Sequence, residues 1–237
     1  PDETYVKADL QDFQAMSEVI KGADMVVHFG AIGDEAPFEQ IVGPNIVGAY
    51  NVWEAAYQHN VKRVVYASSI HAVGMYPKNE FIGTDVPHRP DTFYGLAKCF
   101  AEDLGRLYFD KCGLESVHLR ILSSAQVTSA RALGTWLSYE DLVLLVQRAI
   151  DTPVTGFAVV YGVSDNDRRG VDNSKAHFLG FAPKDNAEVF AEQILKEDTD
   201  IDPKDPGLNR HGGPFAAVPL GNSGQAQMNI IDDTKTS

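Results

Sequence analysis

Tyr94 and Lys98 stand four residues apart in RPDTFYGLAKCFAEDL, where a run of apolar residues at helical intervals begins. Residues i and i+4 share one helix face, so a phenol and an ammonium at this spacing can meet a single ligand. A free tyrosine, with a pKa of about 10, is a poor base at neutral pH. A neighbouring ammonium favours the phenolate and lowers that value. Such a phenolate can take the proton of a substrate hydroxyl while hydride leaves the same carbon. The spacing alone is common by chance and reads equally as an ordinary helical surface pair. Ser69, in VVYASSIHAVGMYP, adds a hydroxyl at a strand tip 25 residues before Tyr94. The three together describe a proton-transfer set.

The elements that must hold these residues alternate. Strands are expected at Thr4–Leu10, Ala23–Ala31, Lys62–Ser69, Leu114–Leu122 and Gly156–Ser164. Helices are expected at Gln11–Gly22, Phe38–Asn60 with a break or kink near Pro44, Thr92–Gly113, Tyr139–Asp151 and Asn186–Glu197. The strands are continuous apolar runs without apolar–polar alternation, the pattern of a parallel sheet covered on both faces. After about Glu197 the chain turns rich in Asp, Pro, Gly and Asn, and Gly221–Ser237 reads as a mobile tail.

In open α/β folds, ligands bind at the carboxyl ends of the strands. Four strand ends here carry small or polar groups: Ala8–Asp9–Leu10, Gly30–Ala31, Ser68–Ser69 and Ser123–Ser124. A strand end is commonly polar where it turns into a loop, but four such ends on one rim suggest a shared site. Gly30–Ala31–Ile32–Gly33 mimics a phosphate-binding turn but follows the wrong strand for one. His28, inside an apolar strand, reads as structural, and Trp53 and Trp136 as packing residues.

Composition narrows the classes. The chain has 237 residues, 44% of them hydrophobic, enough for a substantial core, and no apolar run approaches the ~18 residues of a membrane span. A net charge of −13 argues against a nucleic-acid backbone or an anionic membrane as partner. Cys99 and Cys112 have neither disulfide-framework nor metal-ligand spacing and are expected to be reduced thiols of a cytoplasmic protein.

The Ser, Tyr-x-x-x-Lys set, the ADL element and VVHFGAIG together resemble the extended short-chain dehydrogenase/reductase superfamily, from Tyr5 to about Gly213. APFEQIVGPNIVGAYNVWEAA, SIHAVGMYP, DVPHRPDTFYGLAKCFAEDLGRLYFDK, GTWLSYEDL and FLGFAPKDNAE are similar to bacterial uronate dehydrogenases within it. The resemblance implies NAD-dependent oxidation of the anomeric carbon of a hexuronate to the aldarolactone, with NADP as the alternative cofactor. Ser69 would polarise the anomeric hydroxyl, Tyr94 would be the base, and Lys98 would hold the nicotinamide ribose and tune Tyr94. The cofactor would also touch Asp9, Leu10, Phe29, Gly30, Ala31 and Ile121, and Asn45 would be a structural polar residue. The sugar would meet Gly33, Ser69, Ile70, His71 and Ser123, with Arg131 pairing with its carboxylate. A guanidinium fork suits that last role, because it matches a carboxylate in a bidentate way.

Two residues depart from the uronate dehydrogenase pattern. Ile70 replaces an asparagine and Gly33 a serine, each removing a hydrogen-bonding group worth about 1 kcal/mol. The expected substrate is therefore a different, less hydroxylated acid sugar. The glycine-rich turn that receives the pyrophosphate has no counterpart in this sequence, which starts at the family's third strand. The fold expected is thus a Rossmann-like doubly wound parallel sheet without its first strand–helix–strand. It forms one N-terminally incomplete domain over residues 1–220, with a small substrate-covering region mainly in 120–215. Such a chain is expected to bind NAD poorly or not at all by itself. Two alternatives stay open: a nucleotide-sugar epimerase or dehydratase, and a cofactor-free non-enzymatic relative. By the resemblance a homo-oligomer is also expected, through the helix that carries Tyr94 and the helix before it.

Overall fold

The computed structural model describes residues 3–197 and 204–227. Four strands form one sheet in sequential order: β1 (Met25–His28), β2 (Arg63–Tyr66), β3 (Glu115–Ile121) and β4 (Phe157–Gly162). Every pairing is parallel, with Met25 opposite Arg63, Arg63 opposite Glu115 and Ser116 opposite Phe157. Helix α1 (Phe13–Ile20) precedes the sheet. Helices α2 (Phe38–Ile41) and α3 (Gly48–Gln58) join β1 to β2, and α4 (Phe93–Cys112) joins β2 to β3. Helices α5 (Ala132–Thr135) and α6 (Tyr139–Asp151) join β3 to β4, and α7 (Ala191–Glu197) follows.

Successive strand residues point to opposite faces, and both faces are covered. Val64 and Tyr66 pack with Trp53 and Ala56 of α3 and with Leu104 and Tyr108 of α4. Val65, Val117 and Leu119 pack instead with Leu145 and Ala149 of α6. Two-sided burial is why the strands read as unbroken apolar runs. His28 is buried against Trp53 and Tyr66, as a structural residue should be.

Three expectations need revision. Thr4–Leu10 is not a strand: it pairs with no described strand, and Tyr5 and Val6 lie exposed. Without a neighbour to complete a ladder, its backbone has no reason to be held extended, and only Ala8 and Leu10 reach the core. Pro44 does not break its helix. The chain stays helical from Phe38 to Gln58 through a wider π turn, Val42–Val47, where the Gly48 N–H reaches the Gly43 carbonyl. That geometry accommodates a ring which would crowd the preceding turn of an α-helix. Lastly, Gly221–Gln227, expected as free tail, is held by hydrogen bonds to Asp34 and Glu35, while 228–237 lie outside the described residues.

Among the described residues, no helix is long and apolar enough to cross a membrane, and no cluster of His, Cys, Asp and Glu has metal-site geometry.

Candidate active site

The carboxyl ends of β2 and β3 and the first two turns of α4 converge. Ser69 leaves β2 in extended conformation, bridges to Ile121 at the end of β3, and accepts the His71 N–H at 3.3 Å. Its side chain is hydrogen-bonded to the Tyr94 hydroxyl. Lys98, one turn along α4, donates from Nζ to the Ala67 carbonyl at 2.6 Å, with Nζ 5.2 Å from the Tyr94 ring centroid. All three side chains are buried. The expected set is therefore assembled.

Its electrostatics differ from the simple expectation. Burial pushes Tyr94 up to about 12, with the Ser69 hydrogen bond pulling the other way and Asp91 and Asp34 adding to the rise. Burial also pushes Lys98 down to about 7, against the attraction of Glu102. Desolvation disfavours both charged forms, so proximity to Lys98 does not by itself make Tyr94 an easy base.

Local sequence explains how α4 delivers these groups. Thr92 caps the helix, its Oγ1 accepting the Gly95 N–H at 3.0 Å. The Tyr94 N–H, which has no acceptor inside the helix, donates to Glu35 at 2.8 Å. Gly95 allows the helix to touch the preceding loop, since a Cβ there would lie 2.4 Å from the His71 carbonyl oxygen. His71 in turn binds Asp91 through Nδ1 at 2.8 Å, and its ring is stacked on Phe215 at 4.0 Å. Phe215 is buried and packs with Tyr94 and Ile41. Sequence reading missed Asp91, Glu35 and Phe215. Asp91 looks like part of a cap, while the other two act across long separations that leave no local pattern.

Below the set lies a buried ionic network. Glu102, one turn beyond Lys98, accepts from Ser68 at 2.5 Å, from Arg120 at 2.9 and 2.7 Å, and meets His88 at 2.8 Å. Burial opposes its charge, but hydrogen bonds from His88 and Arg120 outweigh burial and hold the carboxyl well below the usual range.

The remaining predicted residues divide. Arg131, just before α5, donates from Nη2 to the His211 carbonyl at 2.9 Å. It forms no ion pair among the described residues; burial pushes it down to about 10, opposed by Asp91. Ser123 lies on the same rim, bridged to Trp136. Asn45 is structural, clamping the Ile32 N–H and carbonyl at 2.8 and 2.9 Å. Asp9, Phe29 and Gly30 are exposed beside partly buried Leu10 and Ala31. Gly33 is exposed, and its carbonyl accepts from Gln225. Ile70 requires correction. It is fully buried among Val73, Ile82, Leu122 and Tyr161, because the 3-10 turn Ile70–Val73 directs it into the core. It is a packing residue rather than a sugar contact.

The chain is similar in sequence and fold to known proteins. The family model described as "NAD dependent epimerase/dehydratase family" matches residues 1–124. Uronate dehydrogenase of Pseudomonas putida is 44% identical over 219 residues, spanning 92% of this chain and 81% of that protein. A variant of Agrobacterium tumefaciens uronate dehydrogenase, complexed with NAD, is 45% identical with a TM-score of 0.89, the match covering 92% of this chain and 83% of that one. Glucuronic acid dehydrogenase from Chromohalobacter salexigens has a TM-score of 0.87 at 41% identity, with 92% and 85% covered.

Proposed function

Because the chain belongs to the NAD dependent epimerase/dehydratase family, we propose that it oxidises the anomeric carbon of a hexuronate-type sugar acid to the lactone. The observation that carries this reading is a half-buried Arg131 that forms no ion pair among the described residues and lies close enough to feel the charge of Asp91, the residue that holds His71. A desolvated guanidinium of this kind is completed by a carboxylate.

The residues present suit the cofactor. A shallow depression lined by Lys7, Ala8, Asp9, Leu10 and Pro44 can take a flat base. Gly30 leaves the rim open, since even a Cβ there would come within 3.0 Å of Leu10. Asp9, Leu10, Phe29, Gly30, Ala31 and Ile121 would hold NAD, with Lys98 at the ribose. When bound, NAD supplies the hydride acceptor.

The chain's own groups perform the proton chemistry. Ser69 polarises the anomeric hydroxyl, and Tyr94 accepts its proton as the carbonyl forms. Lys98, while charged, favours the phenolate form of Tyr94. Asp91 holds His71 through Nδ1 and leaves Nε2 for a sugar hydroxyl. Arg131 fixes the carboxylate and Ser123 adds a polar contact. With Ile70 turned into the core, Gly33 is the departure that bears on which hydroxyls the site can read. A cytoplasmic location and a homo-oligomer through α4 accompany this reading.

A panel of hexuronates and the matching neutral sugars, offered with NAD to the full-length protein, tests it. NADH formation with a uronate is expected. Turnover of neutral sugars with no uronate oxidised would refute the role of Arg131 and the substrate class.

A further inference from the structure

Glu35 lies in the loop after β1, only 3% exposed, and its carboxylate is shared between two backbone donors. One oxygen accepts the Tyr94 N–H at 2.8 Å and the other the Gly221 N–H at 2.9 Å. The first donor belongs to the opening turn of α4. The second belongs to a segment far away in sequence. Asp34, next to Glu35, accepts the Gly224 and Gln225 N–H groups at 2.9 and 3.1 Å and also the Ser223 hydroxyl. Gln225 completes the attachment by donating to the Gly33 carbonyl at 2.7 Å. This segment is packed onto Phe215, because a Cβ on Gly224 would fall 2.4 Å from its ring. Phe215 is the residue that stacks on His71 and packs with Tyr94. One short loop thus grips both the start of the catalytic helix and the segment that walls the sugar site.

We propose that Glu35 is a positioning residue for the oxidation, coupling the docking of residues 213–225 to the placement of Tyr94. This rests on the reading that Tyr94 is the base. Glu35 acts through the Tyr94 backbone and not through the phenol. Docking of the segment and alignment of the base then form one equilibrium, so a substrate that stabilises the docked segment also aligns its own base.

Glu35→Gln in the full-length protein tests the coupling. A carboxamide of the same size can accept one of the two N–H groups but turns its own donor toward the other. The expected result is a kcat reduced on the order of ten-fold with KM for NAD essentially unchanged, since only the alignment of the base is disturbed. Amide hydrogen exchange should accelerate together at Tyr94–Gly95 and at 221–225, while β2 and β3 stay protected. A residue with a merely structural role would loosen those strands and lower stability without the kcat–KM split. Asp34→Asn, which weakens the segment's other anchor, should also accelerate exchange at Tyr94. An unchanged kcat in Glu35→Gln would overturn the proposal. So would faster exchange at 221–225 with Tyr94 still protected in both variants. The exchange readout needs no substrate: if it shows coupling while no sugar acid is turned over by the unaltered protein, the coupling stands and the proposed activity fails.

Discussion

A phenol and an ammonium lie on one face of α4, and burial moves them in opposite directions, Tyr94 up to about 12 and Lys98 down to about 7. Each shift disfavours the charged form, so the pair resists becoming phenolate and ammonium together. Oxidation needs a proton acceptor at Tyr94, and that acceptor becomes more populated as pH rises. The rate of uronate oxidation should therefore climb from about pH 7 into the alkaline range, the region below the raised Tyr94 value. A rate profile flat between about pH 6 and 10 would contradict this assignment. Tyr94→Phe removes the acceptor and should reduce kcat by ~10²–10⁴. Lys98→Met removes the only side-chain amine beside Tyr94 among the described residues; because burial brings that amine down to about 7, the loss of rate through its charge should be largest at and below about pH 7 and fade as pH rises. Ser69, Tyr94 and Lys98 were legible as a group from residue type and spacing. Their protonation was not, because it depends on how many distant residues exclude water from them.

Helix α4 is where local sequence and site geometry meet. Its limits were readable, since the Thr92 cap and the left-handed Gly113 stop act within a few residues of their own positions. The reason for Gly95 was not, for the surface it spares is the His71 carbonyl, on a loop reached only after folding. Gly95→Ala should push the first turn of α4 away from that loop and cost about 1–3 kcal/mol, as overpacking does. Because Tyr94 rides on this turn, kcat should fall further than that loss of stability alone would produce. Thermal melting alongside kinetics checks it; a variant that is less stable but fully active would show that the close approach does not place Tyr94. Pro44 teaches a similar point. Its presence was visible, but whether it breaks, kinks or widens the helix depended on Asn45, which the π turn turns inward to clamp Ile32.

Across the molecule, the sheet divides stability from chemistry. At the amino ends of the strands, Arg63 is buried with Glu115 at 2.5 Å and donates to the Ala149 and Ile150 carbonyls at the end of α6. The carboxyl ends carry Ser69 and Ser123 and face the proposed base, Tyr94. On the sheet face covered by α3 and α4 lie His28 and His118, each pushed down to about 4, chiefly by burial. For His28 the Lys98 charge adds to the fall, while for His118 Glu102 opposes it. An unfolded chain binds their protons near 6.5 and the folded chain only near 4, so stability is lost as pH falls through that interval. The loss is on the order of 3 kcal/mol for each histidine. His88, raised by its hydrogen bond to Glu102, works in the opposite sense and offsets part of it. Denaturant unfolding at about pH 7 and pH 5 measures the difference, and His118→Asn should flatten it. Equal stability at both pH values would contradict the burial of neutral histidines.

Sequence by itself determined the alternation of helices with parallel strands, the bounds of α4 and the likeness to uronate dehydrogenases, along with the grouping of Ser69, Tyr94 and Lys98. The alternation and the bounds of α4 arise from periodicity and caps, interactions that span at most a helical turn or recur along one strand, while the likeness and the grouping rest on the resemblance of whole motifs. Tertiary structure decided that Thr4–Leu10 is no strand, that Ile70 belongs to the core, and that Arg131 is half-buried without an ionic partner among the described residues. It alone brought Glu35 to the Tyr94 amide and to Gly221, 59 and 186 residues away. It also laid Phe215 on His71. Such contacts leave no pattern in the chain, because their energy comes from surfaces that exist only once the sheet has formed and both its faces are covered.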